Sequence, residues 1–265
     1  MTPPVLPGAE PYSHQGGTTA VLVLHGFTGN PQSMRPLAEA LAARGHTVEL
    51  PLLPGHGTAV EDMLPTRWAD WTAAAEAAYL DLAGRSGPVA VAALSMGGSL
   101  ACWLATRHPE IRGLALVNPL VEPPADSFRD VLRGILAEGT ELVPGVGSDI
   151  AKEGVAELAY PGTPVAAALS LFEGVEAMAP SLSSIRCPVL LLTSRNDHVV
   201  PSSSGDFLTE RISGPVERVW LEHSYHVATL DNDAPEVEAR TAAFMDAVLS
   251  GAVAATSGDA VGRDR

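Results

Sequence analysis

The feature that most constrains the fold of this 265-residue chain is a serine between a buried strand and a buried helix. In the stretch VAVAALSMGGSLACWLATRHP, an apolar run from Val89 to Leu94 ends abruptly at Ser95. Gly97 and Gly98 follow, and a long apolar segment with helical character then runs to Pro109. A simple interpretation is a strand-to-helix turn in which Ser95 caps the helix. The alternative interpretation is a nucleophile held on a strained turn.

Strands and helices alternate over most of the chain. Short apolar, β-branched runs predict strands, and apolar residues at helical spacing predict helices. The predicted strands lie within residues 19–26, 46–53, 87–94, 111–119, 187–197 and 217–223, and the predicted helices within 30–45, 66–84, 97–108 and 234–251. Such alternation is typical of an α/β fold, with a mostly parallel sheet flanked by helices on both faces.

The alternation breaks between about Pro119 and Leu182, where the chain is rich in proline and glycine and has no strong strand pattern. We interpret residues 119–182 as a cap or lid inserted over the C-terminal edge of the sheet. The α/β core then consists of residues 1–118 and 183–250. Residues 251–265 are small and polar, which predicts a disordered tail.

Three positions at predicted strand ends form a candidate catalytic triad. The pattern small-x-Ser-x-Gly after a strand and before a helix is the nucleophile elbow of the α/β-hydrolases, here ALSMG with Ala93 in place of the usual first glycine. A serine hydroxyl needs a base, and in that fold the acid and then the base follow the serine along the chain. Asp197 follows the strand VLLLTS, and His226 follows the last strand. Because the carboxyl ends of parallel strands line one crevice, we expect Ser95, Asp197 and His226 to meet there.

Other titratable residues near these segments are weaker candidates. His223 is nearer to the last strand and is the main rival base, while His198 neighbours an acid that the same strand end already supplies. Asp206 lies in what looks like the next helix, where a surface charge is expected. His25 and His56 lie in glycine-flanked loops, and structural hydrogen bonding suits them better than catalysis.

Acyl transfer also requires two fixed N–H groups for the developing oxyanion. The predicted donors are the backbone amides of Met96, directly after the candidate nucleophile, and Phe27, in the early loop HGFTG. The same loop can also act as a strand-to-helix turn in which Asn30 caps the following helix. The two interpretations are compatible.

Composition excludes several other functions. A formal net charge of −15 argues against binding to nucleic acid and to anionic lipid surfaces. No metal-binding motif is present, and the triad chemistry requires no cofactor. The two cysteines, Cys102 and Cys187, are expected to be separate buried thiols. With no leader-like segment and no apolar run approaching the roughly 20 residues of a membrane span, we expect a cytoplasmic protein.

At the level of whole motifs, the chain resembles the bacterial monoacylglycerol lipases of the α/β-hydrolase superfamily and the related bacterial carboxylesterases. The resemblance lies in the segments LHGFTGNPQSMRPLAEALAARGHTVELPLLPGHGT, EDM, ALSMGG, RNDHVVP and SYHVATLD, and in the cap stretch VGSDIAKEGVAELAYPGTP. It implies the same triad and oxyanion donors, and a small cap inserted after the sixth strand. It also implies an apolar channel for the acyl chain lined by Val146 and a polar end where Glu157 binds glycerol hydroxyls.

The sequence therefore predicts a serine hydrolase that cleaves the ester bond of monoacylglycerols through an acyl-enzyme, without a cofactor or metal. One alternative is a broad carboxylesterase for short-chain esters, which would use the same residues under a different cap. Another is a non-catalytic homologue that binds small molecules. An apolar outer surface on the cap would favour transient contact with a membrane or micelle. The sequence leaves that contact open, as it does the oligomeric state.

Overall fold

The computed structural model describes residues 4–252 of the chain, and the described strands form two sheets. The strands are β1 (Tyr12–His14), β2 (Ala20–Leu24), β3 (Thr47–Leu50), β4 (Val89–Leu94), β5 (Leu114–Val117), β6 (Leu142–Pro144), β7 (Gly162–Pro164), β8 (Val189–Ser194) and β9 (Val216–Leu221). Seven of them form the main sheet, in the order β1-β3-β2-β4-β5-β8-β9. All pairs in it are parallel except β1 with β3, so the predicted mostly parallel sheet is confirmed.

Helices cover both faces of this sheet, as predicted. They are α1 (Arg35–Ala43), α2 (Val60–Met63), α3 (Trp68–Arg85), α4 (Met96–Arg107), α5 (Asp126–Ala137), α6 (Val165–Met178), α7 (Ser203–Thr209) and α8 (Ala234–Leu249), with 3-10 turns at Pro31–Ser33 and Ala179–Ser184. Alternate residues of β2 and β4 face opposite sides of the sheet. One set packs on α3 and α4, and the other packs on α1 and α8. Because both faces are covered, every residue of β2, β4, β5 and β8 is buried.

The chain between β5 and β8 forms α5, the antiparallel pair β6–β7 and α6. Two details differ from the expectations. This stretch contains a small sheet where no strong strand was predicted. The strands β6 and β7 were not predicted because each is only three residues long and they are rich in proline and glycine. It also follows the fifth strand of the chain rather than the sixth, because the described N-terminal segment contributes a single short strand, β1, before β2.

Helix α6 belongs to two apolar clusters at once. On one side, Ala167, Leu171 and Val175 pack into the main core that also contains α3 and α4. On the other side, Val165 and Leu169 pack with α5 in a small separate cluster. The predicted division into a core of residues 1–118 and 183–250 and a cap of residues 119–182 remains a proposal, supported by that separate cluster. The predicted disordered tail lies outside the described residues from position 253 onward.

One segment corrects the expectation that no apolar run approaches the length of a membrane span. Residues Val165–Ser184, which comprise α6 and the following 3-10 turn, meet the requirements for a membrane span by length and composition alone. Half of that segment is buried inside the fold, however, so its apolar character serves the core packing just described.

The turn at Ser95 depends on a close approach between α4 and the neighbouring strand ends. A Cβ atom at Gly97 would collide with the carbonyl oxygen of Leu24 at the end of β2, and one at Gly98 would collide with the Pro119 ring. Ala93, in contrast, lies inside β4 and pairs with Leu24 and Leu116 in regular register. The departure from glycine at position 93 therefore leaves the turn unaffected.

This packing predicts unequal losses of stability for two substitutions on either side of Ser95. Gly97→Ala should lower the free energy of unfolding by about 2 kcal/mol or more, because a backbone carbonyl must move to admit the new methyl group. Ala93→Gly should cost less, about 1–1.5 kcal/mol, from the added flexibility of the unfolded chain and the loss of one buried methyl group. Urea unfolding of both variants measures the difference. Equal losses would contradict the assigned packing.

Candidate active site

Ser95 is held in a backbone conformation that few residues other than glycine adopt. Its φ is 55° and its ψ is −119°, between the end of β4 and the start of α4. Two other non-glycine residues with positive φ, Thr28 and Asn118, follow the ends of β2 and β5. Because β2, β4 and β5 are adjacent and parallel, all three strained residues lie at one edge of the sheet. Strain of this kind is concentrated at functional sites.

The loop after β2 lies directly against Ser95. A Cβ atom at Gly26 would be 3.4 Å from the Cβ and 3.9 Å from the Oγ of Ser95, so the backbone of this loop passes next to the serine side chain. The amide of Phe27 donates to no acceptor within residues 4–252. Met96 is the first residue of α4, so its amide has no partner inside the helix. The two amides predicted as oxyanion donors therefore have no competing helix or sheet bonds.

Two buried histidines support this loop from behind. His25 Nδ1 donates to the Gly26 carbonyl at 3.0 Å, and His25 Nε2 accepts from the Leu53 amide at 3.1 Å. Burial, with the neighbouring His56, lowers the pKa of His25 to about 3, and burial lowers the pKa of His56 to about 4. Both rings are therefore neutral near pH 7, and His56 packs edge-on against Phe27 and Trp71. The predicted structural role of both histidines fits these contacts.

The predicted acid and base are in direct contact. His226 Nδ1 lies 2.8 Å from Asp197 Oδ2, and both side chains are almost fully buried. The other oxygen, Asp197 Oδ1, accepts the amides of Val199 and Val200 at 2.8 Å each. The carboxylate is thus fixed by its own loop, and its free oxygen fixes the His226 ring. The other ring nitrogen, Nε2, is therefore available for chemistry in the cavity that His226 lines together with Ser95.

Sequence reasoning missed the residues that hold the loop carrying His226. Asn118 Nδ2 donates to the His226 carbonyl at 2.8 Å, and its Oδ1 accepts the Ser194 amide at 2.7 Å. Ser194 Oγ donates to the Tyr225 carbonyl at 2.7 Å. The only signal in the sequence is a polar residue at each of two strand ends, after β5 and at the end of β8, which alone could not show these contacts.

The rival candidates lie elsewhere. His223 is exposed and its amide donates to Asp233, Asp206 forms an ion pair with Arg218, and the His198 ring pairs with Asp149 at 2.8 Å. None of the three rivals lines the cavity that contains Ser95. Within residues 4–252, no group of three or more His, Cys, Asp or Glu side chains is arranged to hold a metal ion.

Ser95 and His226 line a cavity of about 660 Å³ beneath the inserted segment. Most of its wall is apolar, with contributions from Phe27, Leu120, Phe128, Leu132, Val143, Val146, Ala168, Leu171, Phe172, Val199, Val200 and Val227. Val146 is among these lining residues and is 65% exposed. Both residues predicted to contact substrate, Val146 and Glu157, therefore share this cavity with Ser95 and His226.

Glu157 is half-buried, but its carboxyl group faces inward. A Cβ atom at Gly29 would be 2.5 Å from Glu157 Oε1, so the absence of a side chain there makes room for the carboxyl group. Burial raises the pKa of Glu157, and the nearby His226 and the Ser33 hydroxyl partly offset that increase. A buried carboxyl group close to the candidate base, in an otherwise mostly apolar wall, is suited to bind a polar group next to the reacting bond.

Comparison with known proteins places these features in context. The sequence profile of a family described as serine aminopeptidase, S33, matches residues 17–233. A thermostable monoacylglycerol lipase from Bacillus sp. (strain H-257) is 44% identical over 91% of this chain and 96% of its own length. A carboxylesterase from Bacillus subtilis (strain 168) is 27% identical over 89% of this chain and 96% of its own length.

A solved structure has a closely similar fold. It comes from work on LipS and LipT, two metagenome-derived lipolytic enzymes, and is 43% identical with a TM-score of 0.87. The match covers 92% of this chain and 99% of that one. The similarity therefore includes the inserted segment as well as the sheet.

The histidine pair behind the early loop predicts a specific loss of stability in acid. Both folded-state pKa values lie below the unfolded value near 6.5, so the unfolded chain binds more protons as the pH falls from about 6.5 towards 4. The contribution of the two histidines to the free energy of unfolding is fully present above that range. Within the range it falls by about 1.4 kcal/mol per pH unit for each histidine. His56→Phe removes one of these two protonation sites and keeps an aromatic ring against Phe27 and Trp71.

The measurement is urea unfolding of both proteins between pH 4.5 and 7. Relative to the wild type, the free energy of unfolding of the variant should rise by roughly 2 kcal/mol as the pH falls from 6 to 4.5. Parallel stability curves would show that His56 is not held neutral in the folded protein.

Proposed function

This chain belongs to the serine aminopeptidase S33 family of the α/β-hydrolases, and we propose that it is a serine esterase that hydrolyses monoacylglycerols. The observation that carries the proposal is that Ser95 and His226 open into one mostly apolar cavity whose wall also holds the buried Glu157 carboxyl group. A monoacylglycerol has one long apolar chain and one small diol, which matches such a cavity. The lipase at 44% identity supports the same substrate class.

In the proposed mechanism, Ser95 Oγ attacks the ester carbonyl and His226 Nε2 takes its proton. Asp197 orients the ring through Nδ1 and stabilises its charged form. The amides of Phe27 and Met96 stabilise the oxyanion. His226 then returns the proton to the leaving glycerol oxygen, and a water molecule cleaves the acyl-enzyme with the same base.

We assign the acyl chain to the part of the cavity formed by α5, α6 and Val146. The apolar side chains there include Phe128, Leu132, Leu171 and Phe172. Each methylene group buried against them contributes about 0.8 kcal/mol. This part of the wall can therefore supply the preference for longer acyl chains that separates a lipase from a short-chain esterase.

We assign the glycerol group to Glu157. Its carboxyl group lies between Gly29 and His226, next to the place where the leaving alcohol must receive its proton. A carboxyl group accepts hydrogen bonds from hydroxyl groups, and in a buried setting each such bond contributes more than in water. The leaving group would thus be held where His226 can protonate it.

The cap also has apolar side chains on its outside. Val131 on α5 is 59% exposed and does not line the cavity, and Phe128 on the same helix is 50% exposed beside the cavity that it lines. We propose that this surface makes transient contact with micelles or membranes that carry the substrate. A rise in the hydrolysis rate above the critical micelle concentration of the substrate supports this proposal, and its absence contradicts it.

We further propose that the enzyme works in the cytoplasm. Cys102 and Cys187 are both buried and free, as expected for a protein that folds in a reducing compartment. Fractionation of the source cells tests this proposal directly, since recovery outside the cytoplasmic fraction would contradict it.

A series of 1-monoacylglycerols and matched p-nitrophenyl esters, from acetyl to palmitoyl, tests the function. We expect a preference for medium or long monoacylglycerols and complete loss of turnover in Ser95→Ala. Preference for acetyl or butyryl esters regardless of glycerol would instead support a general carboxylesterase. Failure of wild-type Ser95 to react with any of them would support the non-catalytic alternative. Aminoacyl p-nitroanilides belong in the panel because the family description refers to aminopeptidases.

The role of Glu157 predicts a selective defect. Glu157→Gln should lower kcat/KM for a monoacylglycerol roughly tenfold, because one charge-assisted hydrogen bond to the diol is weakened. The p-nitrophenyl ester with the same acyl chain lacks the diol and should be hydrolysed at nearly the wild-type rate. Equal losses on both substrates would remove the proposed glycerol contact.

A further inference from the structure

A segment of the inserted region spans the candidate active site and is tied to the core at both ends. We call residues 148–160 the strap. One end lies on the loop that carries His226, and the other lies on the loop after β2 that carries Phe27. The strap thus joins the loop of the proposed base to the loop of a proposed oxyanion donor.

At the first end, one carboxylate reaches the backbone of the proposed base. Asp149 Oδ2 accepts the His226 amide at 3.0 Å and the His198 amide at 3.2 Å. Asp149 Oδ1 pairs with His198 Nδ1 at 2.8 Å, and the Asp149 carbonyl accepts the Val227 amide at 3.1 Å. Asp149 is therefore bonded to two consecutive residues of the loop, His226 and Val227.

A second carboxylate, fully buried, locks the same junction. Asp231 accepts the amides of Ala151 and Lys152 in the strap at 2.7 and 2.9 Å. It also accepts the amides of Tyr225 and Asn232 in the His226 loop at 2.8 and 2.7 Å. The strap and the His226 loop are thus fixed as a single unit.

At the far end, the strap binds the loop after β2 and the loop before α2. The Leu158 amide donates to Gln32 at 3.0 Å, and the Tyr160 amide donates to the Thr28 carbonyl at 3.1 Å. Tyr160 Oη donates to the Gly55 carbonyl and accepts the Thr58 amide, both at 2.9 Å. These bonds hold the strap without contacting His226.

We propose that Asp149 is a positioning residue for His226, an inference that rests on the proposed serine hydrolase mechanism. Asp197 holds the ring, and Asn118 holds the His226 carbonyl from the sheet side. Asp149 holds the remaining backbone group, the His226 amide, from the strap side. The imidazole can reach Ser95 reproducibly only when its backbone is fixed on both sides.

The geometry specifies how Asp149 acts. The oxygen bonded to the two backbone amides needs to be an acceptor but does not need a charge. The other oxygen faces His198 Nδ1, which after a change of tautomer can accept a hydrogen bond from an amide NH₂ group. Asparagine can therefore replace aspartate with all of these contacts preserved, whereas alanine loses every side-chain bond.

The test measures how fast Ser95 reacts with a fluorophosphonate probe, together with kcat and KM for p-nitrophenyl butyrate. Neither readout depends on the natural substrate being a monoacylglycerol. Asp149→Ala should slow labelling and lower kcat by roughly 10- to 100-fold with little change in KM, because the base is displaced from the nucleophile. Asp149→Asn should recover most of that loss.

Tyr160→Phe provides the matched control, because it removes two hydrogen bonds at the other end of the same strap. It should lower the melting temperature and leave the labelling rate near that of the wild type. If it slows labelling as much as Asp149→Ala does, a general loosening of the strap is responsible and the proposal fails.

Two further outcomes would overturn the proposal. If Asp149→Asn is as slow as Asp149→Ala, the carboxylate acts through its charge rather than by holding the backbone. If Asp149→Ala, shown to be folded by circular dichroism, labels at the wild-type rate, Asp149 has no positioning role. If the wild-type protein itself fails to label at Ser95, the proposed function fails instead, and the two failures are thereby distinguished.

Discussion

The arrangement of the site depends on the left-handed backbone of Ser95 and on the close contact that it forces between α4 and β2. The turn leaves no space for a side chain at Gly97, where a Cβ atom would collide with the Leu24 carbonyl. Because α4 is held so close, the loop after β2 lies directly against Ser95, and Phe27 in that loop and Met96 at the start of α4 have amides that are free of helix and sheet bonds. A different backbone angle at Ser95 would separate these groups even if every side chain were retained.

The chain has a formal net charge of −15, yet its acidic groups around the site are placed against hydrogen-bond donors. Asp197 accepts two backbone amides and a histidine ring, Asp231 accepts four backbone amides, and Asp149 accepts two amides and a ring. A buried carboxylate is stable when its lone pairs are bonded in this way. Glu157 differs, because burial raises its pKa and its carboxyl group faces the cavity. The carboxylates that fix the loops are thus distinct from the carboxyl group assigned to the substrate.

The sheet and the relative positions of Ser95, Asp197 and His226 could be predicted, because local patterns encode them. Apolar runs marked the buried strands, and each of the three residues follows directly at a strand end or in the loop beyond it. The roles of Asn118, Asp149 and Asp231 could not be predicted. Each of them has at least one partner more than 70 positions away in the sequence, and no local pattern specifies such a partner. The β6–β7 pair was missed for a related reason, since its three-residue strands contain prolines and show no alternation.

On the His226 side, the strap is held by its own Asp149 side chain and by Asp231, which binds the strap main chain at the amides of Ala151 and Lys152. Backbone amides are the same for every residue except proline. Substitutions between Glu153 and Ala156 would therefore leave this attachment intact. The segment beside the proposed leaving-group site can therefore accumulate changes while the positions of the proposed base and nucleophile are maintained. In such an arrangement, a new choice of alcohol can evolve without loss of the hydrolytic chemistry.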